Sequence, residues 1–195
     1  MILRLAFHDE ALSQQLAEKG YAIFNCLTQE EVESLKKMFF DFHADTPEGF
    51  FASAHLADAE LRKTVSDRIA EILLPKVQSH FKNLNLLGGS FISKSPGAKG
   101  KLPLHQDWNI VDEKLSRSYN LWVPLVDVEQ KNGAMRILEG SHEKYETYRG
   151  PNLPPVLYQI SEEVDQHMVP LEMKAGDALV YDHALWHSSP INQTD

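Results

Sequence analysis

The chain has 195 residues, 43% of them hydrophobic and 24% charged, which suits one globular domain with a sizeable core. Its formal net charge of -9 excludes the basic footprint of a nucleic-acid binder and disfavours an anionic membrane surface. Cys26 is the only cysteine, so an intramolecular disulfide and a cysteine-built zinc site are excluded.

The opening residues, Met1 to Asp9, are charged too soon for a signal peptide. No apolar run has the length of a membrane span, and the expectation is a cytoplasmic protein. Glu10 to Lys19 has helical periodicity through Leu12, Leu16 and Ala17, with Gly20 as its stop. Tyr21 to Asn25 reads as a strand. Thr28 with Glu31 matches a capping box for a helix over 29–42, whose apolar face is Val32, Leu35, Phe39 and Phe42. Asp45 to His55, with Pro47 and Gly49, reads as a loop. Leu56 to Phe81 is a second helical stretch that Pro75 should kink or divide.

From Leu84 the pattern turns to strands. Leu86 to Lys94 reads as a strand with a glycine bend, and Ser95 to Gly100 as a turn. The strand around His105 follows, then a polar loop over 112–118. Tyr119 to Val128 and Ala134 to Leu138 flank an Asn132-Gly133 turn and are expected to pair as a hairpin. Residues 143–167 form a long polar excursion, of a length often used as an active-site lid. Short strands are expected over 169–173, 178–181 and 184–188. Helices first and short antiparallel strands after predict an α+β domain: a double-stranded β-helix (jelly-roll, cupin-like) core with the N-terminal helices packed outside.

The chemistry concentrates at Leu104-His105-Gln106-Asp107-Trp108. On an extended strand, residues i and i+2 share a face, so His105 and Asp107 would present an imidazole and a carboxylate together. That is two-thirds of the 2-His-1-carboxylate triad of non-haem iron sites. With nine histidines among many acids, a His-x-Asp also arises as a plain hydrogen-bonded pair. The apolar neighbours weigh towards a metal, because a buried His and Asp need partners. His183 and His187 both compete for the third position. They would share parity on a strand, so geometry leaves the choice open; the apolar run before His187 favours it. His142, in Gly140-Ser141-His142, reads as structural. His8, His43, His55, His80 and His167 have no companion ligands and read as solvated or packing residues. Trp108 and Trp122 are expected in the core, with one face of the Trp122 strand lining a pocket. Lys94 and Arg136 are strand cations, one of which would point inward in a site that takes a dicarboxylate.

Five segments, in order, resemble the phytanoyl-CoA dioxygenase (PhyH-like) family of Fe(II)- and 2-oxoglutarate-dependent oxygenases. They are Leu16 to Phe24 with Leu27 to Val32; Leu104-His105-Gln106-Asp107; Leu121 to Asp127 with Asn132 to Met135; Gly140-Ser141-His142; and Ala175-Gly176-Asp177 through Ser189 and Asn192. The resemblance implies a jelly roll with His105, Asp107 and His187 as catalytic iron ligands, and so chooses His187 over His183. It implies that Trp122 and Ser189 line the 2-oxoglutarate site. The implied reaction consumes O2 and 2-oxoglutarate, hydroxylates a small organic molecule and releases succinate and CO2. Asp107 implies a hydroxylase, since related halogenases lack that carboxylate. The family anchors the far carboxylate of 2-oxoglutarate with an arginine on the strand after the distal histidine, beyond Asp195. The expectation is a single domain over 1–195, truncated at its C-terminal end. The competing expectation is a cupin-type metal-binding protein with redox-neutral or no catalytic activity. Substrate identity and oligomeric state are not legible.

Overall fold

The structure is a computed structural model that describes residues 6–43, 47–144, 148–151, 153 and 157–194. Most of the opening segment, the start of the 45–55 loop, parts of the 143–167 excursion and Asp195 lie outside the described residues.

The N-terminal elements form where the sequence places them. Helix α1 (Glu10–Lys19) is capped by the Asp9 carboxylate, which accepts from the Leu12 N–H. It ends at Gly20, whose φ of 84° lets its N–H reach back to the Leu16 carbonyl. Strand β1 (Tyr21–Asn25) follows. Helix α2 (Gln29–Phe42) starts with both bonds of the Thr28–Glu31 capping box. Strand β2 (Phe50–Ala52) lies where a loop is expected. Helix α3 (Ala59–Gln78), capped by Asp58, runs undivided through Pro75. Helices α2 and α3 bury Val32, Leu35, Phe39, Val65 and Ile69 against one another and Phe91.

The remaining strands are β3 (Ile92–Lys94), β4 (Leu102–His105), β5 (Tyr119–Trp122), β6 (Arg136–Ile137), β7 (Val169–Pro170), β8 (Asp177–Asp182) and β9 (His187–Ser189), with helix α4 (Ser161–Asp165) before β7. They make a three-stranded sheet in the order β1-β8-β5, a four-stranded sheet in the order β4-β9-β6-β7, and the pair β2-β3. Every strand pair is antiparallel. Tyr21, Leu179 and Tyr181 of the first sheet meet Ile137 of the second in one core cluster with Leu171, Met173 and Leu185. Helix α1 and the end of α3 cover the outer face of β1 and β8 through Phe7, Leu16, Val77 and Val180. Two antiparallel sheets over one core, with helices outside, make the expected α+β jelly roll.

Several expectations are corrected. The 119–128 and 134–138 segments do not form a hairpin. Pro124 cannot donate to a ladder, β5 stops at Trp122, and β5 pairs with β8 while β6 pairs with β7 and β9. The segment before β3 is docked on α3 instead of laddered: Gly89 donates to the Ser66 hydroxyl, and a Cβ there would stand 2.6 Å from Ile69. His183 is not on the strand that carries His187, because a turn separates β8 from β9. Trp108 is not core; it is 52% exposed.

Candidate metal centre

Strands β4 and β9 bring two imidazoles face to face. His105 and His187 are paired across the ladder, while the next pair is Leu102 with Ser189. Three residues on β4 therefore span two on β9, a bulge of the kind that re-aims side chains beside active sites. The rings stand 4.2 Å apart between centroids at 50°.

Each ring is fixed by a backbone carbonyl two residues back. His105 Nδ1 lies 2.7 Å from the Pro103 carbonyl and His187 Nδ1 lies 2.9 Å from that of Leu185. A carbonyl only accepts, so each Nδ1 carries the proton and each Nε2 presents a lone pair. Asp107 arrives from just past the end of β4, so strand parity does not place it. Its backbone N–H donates to the His183 carbonyl at 2.9 Å, and the neighbouring Gln106 amide donates to the Ala184 carbonyl at 2.5 Å. Those two bonds hold the 106–107 segment on the β8–β9 turn. The Asp107 carboxylate then stands 4.0 Å from His105 Nε2 and 3.8 Å from His187 Nε2. One donor atom from each of the three residues lies within 4.8 Å of the others.

Burial shapes the charge. His187 is buried, and its pKa is pushed down to about 4, first by desolvation and then by the neighbouring His105, with Asp107 opposing. The ring is thus held neutral at ordinary pH, as a metal ligand must be. Tyr181 stacks edge-on to His187 at 5.0 Å. Its hydroxyl is held well above the usual phenol range by burial and then by the Asp107 charge. Two imidazoles and a carboxylate converging from one side are the donor set of a facial iron site.

Sequence reasoning missed the residues that hold this set in place. Asn120 on β5 donates to the Asp107 carboxylate at 2.7 Å and to the Tyr181 hydroxyl at 3.1 Å. Its alternation with Trp122 was the available signal, since both lie on the inward face of β5. Arg149 donates through Nε to the Asp107 carbonyl at 2.6 Å and forks onto Glu113. Nothing in the sequence links those positions.

The other expected residues separate. His183 is buried, but its Nδ1 faces the Ser118 hydroxyl at 3.1 Å, and it is not among the three converging donors. His142 is buried, with Nε2 on the Ala17 carbonyl at 3.1 Å, as a structural residue should be. Trp122 packs on the core between the sheets, and Ser189 lies two residues past His187 on β9. Arg136 turns away to Asp165 at 2.6 Å. Lys94 points inward, with Nζ 2.5 Å from the Ser189 hydroxyl.

Comparison with known proteins gives the family and the fold. The profile of the family described as Phytanoyl-CoA dioxygenase (PhyH) matches residues 16–195. The chain is 30% identical over 134 residues to "Phytanoyl-CoA dioxygenase domain-containing protein 1" of Danio rerio, covering 62% of this chain and 46% of that one. It is 28% identical over 121 residues to "Phytanoyl-CoA dioxygenase 1" of Oryza sativa subsp. japonica, covering 56% and 40%. The chain thus spans less than half the length of these two relatives. Among solved structures, HygX from Streptomyces hygroscopicus with nickel and 2-oxoglutarate bound superposes with a TM-score of 0.67 at 18% identity, over 96% of this chain and 82% of that one. The alpha ketoglutarate dependent carbocyclase SnoK from nogalamycin biosynthesis superposes at 0.65 and 20% identity, over 96% and 79%. Among the described residues no helix is long and apolar enough to cross a membrane.

Proposed function

Because the chain belongs to the phytanoyl-CoA dioxygenase (PhyH) family, we propose that it is a non-haem Fe(II)- and 2-oxoglutarate-dependent dioxygenase that hydroxylates a small organic substrate. His105, Asp107 and His187 are the proposed iron ligands. The observation that carries the reading is the commitment of both Nδ1 atoms to backbone carbonyls two residues back, which leaves two Nε2 lone pairs and one carboxylate within 4.8 Å of one another. HygX, solved with 2-oxoglutarate bound, and SnoK, an alpha ketoglutarate dependent carbocyclase, share the fold and support the same cosubstrate here. Trp122 and Ser189, on the inward faces of β5 and β9, are the proposed 2-oxoglutarate-lining residues. The single-domain organisation over 1–195 and a cytoplasmic setting belong to the same proposal.

When bound, the metal and 2-oxoglutarate supply oxidative decarboxylation to succinate and CO2, coupled to substrate oxidation by O2. The protein's own residues set the conditions. The backbone carbonyls of Pro103 and Leu185 fix both tautomers, so neither ring must shed a proton to bind metal. Asn120 orients the Asp107 carboxylate, and Arg149 fixes its backbone. Burial of His187 and Tyr181 excludes water from one side of the centre.

Succinate formation from 2-oxoglutarate, with and without Fe(II), tests the proposal. The expected result is turnover that requires Fe(II). Tight metal binding without 2-oxoglutarate consumption, in the presence or absence of candidate substrates, would point to a cupin-type protein instead.

A further inference from the structure

We propose that Tyr181 is a self-oxidation site: when the loaded centre turns over with no substrate seated, the Tyr181 ring takes up the oxygen atom and becomes a catechol. The inference rests on the proposed function above. Position is the first support. Tyr181 lies opposite Asn120 in the β5–β8 ladder and packs in the core cluster between the two sheets. Its ring meets that of His187 edge-on, with centroids 5.0 Å apart at 63°. Its hydroxyl accepts from the Asn120 amide at 3.1 Å, and the same amide donates to the Asp107 carboxylate at 2.7 Å. Tyr181 therefore touches one proposed ligand and is one hydrogen-bonded residue removed from a second. The hydroxyl end of the ring, with its two flanking Cε carbons, is the end turned towards Asn120.

Chemistry is the second support. A phenol is electron-rich, and its hydroxyl activates the flanking Cε–H positions towards oxidation. The nearby indoles are set apart. Trp122 stands about 7 Å along β5 from Asn120, opposite Leu179, and Trp108 is largely exposed. Burial is the third support. Tyr181 is only 6% exposed, so bulk water is kept from its side of the centre, and an oxidising site without its substrate attacks the groups that border it. The step balances with the proposed cosubstrates alone. One O2 and one 2-oxoglutarate are consumed. One oxygen atom enters succinate as CO2 leaves, and the other enters a Cε–H bond of Tyr181. That bond becomes C–OH, and its hydrogen ends as the new hydroxyl proton. Of the four electrons that O2 gains, two come from 2-oxoglutarate and two from the ring.

The test incubates the 195-residue chain in air with Fe(II) and 2-oxoglutarate and no substrate. The metal is then removed with a chelator, the protein is denatured, and its peptides are mapped by mass. The expected result is one added oxygen atom located on Tyr181, with a catechol revealed by redox-cycling stain of the denatured chain. Both signals should vanish when Fe(II), 2-oxoglutarate or O2 is withheld. Tyr181→Phe should lose the stain, because one oxygen insertion into a phenyl ring gives no catechol; a stain retained in that variant would overturn the proposal. The wild-type peptide map decides independently of how well the variant folds. Bound 2-oxoglutarate with Tyr181 unmodified in air, or the added oxygen found on Trp108, Trp122 or a methionine instead, would overturn the proposal and leave the dioxygenase reading intact. So would modification of Tyr181 without 2-oxoglutarate, which marks free-radical damage. A chain that holds Fe(II) but no 2-oxoglutarate in anaerobic titration would bring down both.

Discussion

The proton of each imidazole at the proposed metal centre is held by a backbone carbonyl two residues back in the chain. His105 and His187 make the same bond, to Pro103 and Leu185, so the centre is prepared by local backbone geometry. That preparation has a pH signature. His187 has a folded pKa of about 4, below the ordinary value of about 6.5 that it regains on unfolding. Between those values the unfolded chain binds a proton that the folded chain does not. Stability is therefore full above about pH 6.5 and falls as pH drops towards 4, by roughly 3 kcal/mol at the end of that window. Urea unfolding of metal-free protein at pH 7.5 and pH 5 should show the loss, and His187→Gln should lose less between the two. Asn120→Ala removes the hydrogen bond that orients Asp107, and metal affinity should drop by about 10- to 100-fold. An unchanged metal dissociation constant would count against that role. All three proposed ligand positions were legible in the sequence: His105 and Asp107 from the His-x-Asp pattern, and His187 over His183 from the family resemblance. The sequence concealed Arg149, which reaches Asp107 from 42 residues away and leaves no local trace, and showed of Asn120, 13 residues away, only its alternation with Trp122.

At the scale of elements, the signals that proved reliable were those closed within one turn or one strand. The capping box at Thr28–Glu31 and the Asp9 and Gly20 caps set their helix boundaries. Strand partners were not legible, because pairing is decided by distant residues: β8 joins β1 and β5, both far earlier in the chain. Gly176 is the hinge of that arrangement. Its N–H donates to the Pro124 carbonyl and its own carbonyl accepts from Cys26 and Leu27. Its φ is 91°, and a Cβ would stand 2.7 Å from the Leu27 carbonyl oxygen. Gly97 has a similar φ of 93° with open space around it. Gly97→Ala should cost about 1 kcal/mol from backbone strain alone, and Gly176→Ala about 3 kcal/mol from strain plus clash. Denaturant midpoints of the two variants check this; equal losses would contradict the packing described for Gly176. Thr28→Ala, which removes the α2 cap, should cost about 1 kcal/mol by the same measurement.

For the whole molecule, the fold class was legible from the run of helices followed by short strands, and the sheet order was not. What the fold accomplishes is to bring β4 and β9, about 80 residues apart in sequence, into one ladder that sets His105 against His187, with Asp107 just past the end of β4. Tyr21, Ile137, Leu179 and Leu185 pack the two sheets together behind that face. In the proposed function one metal ion joins the two segments. Anaerobic Fe(II) titration of the wild type and of the Asp107→Ala, His187→Ala and His183→Ala variants is the decisive measurement. One Fe(II) per chain is expected for the wild type and for His183→Ala, and loss of that site in the other two. Retention in His187→Ala, or loss in His183→Ala with the fold intact, would contradict it.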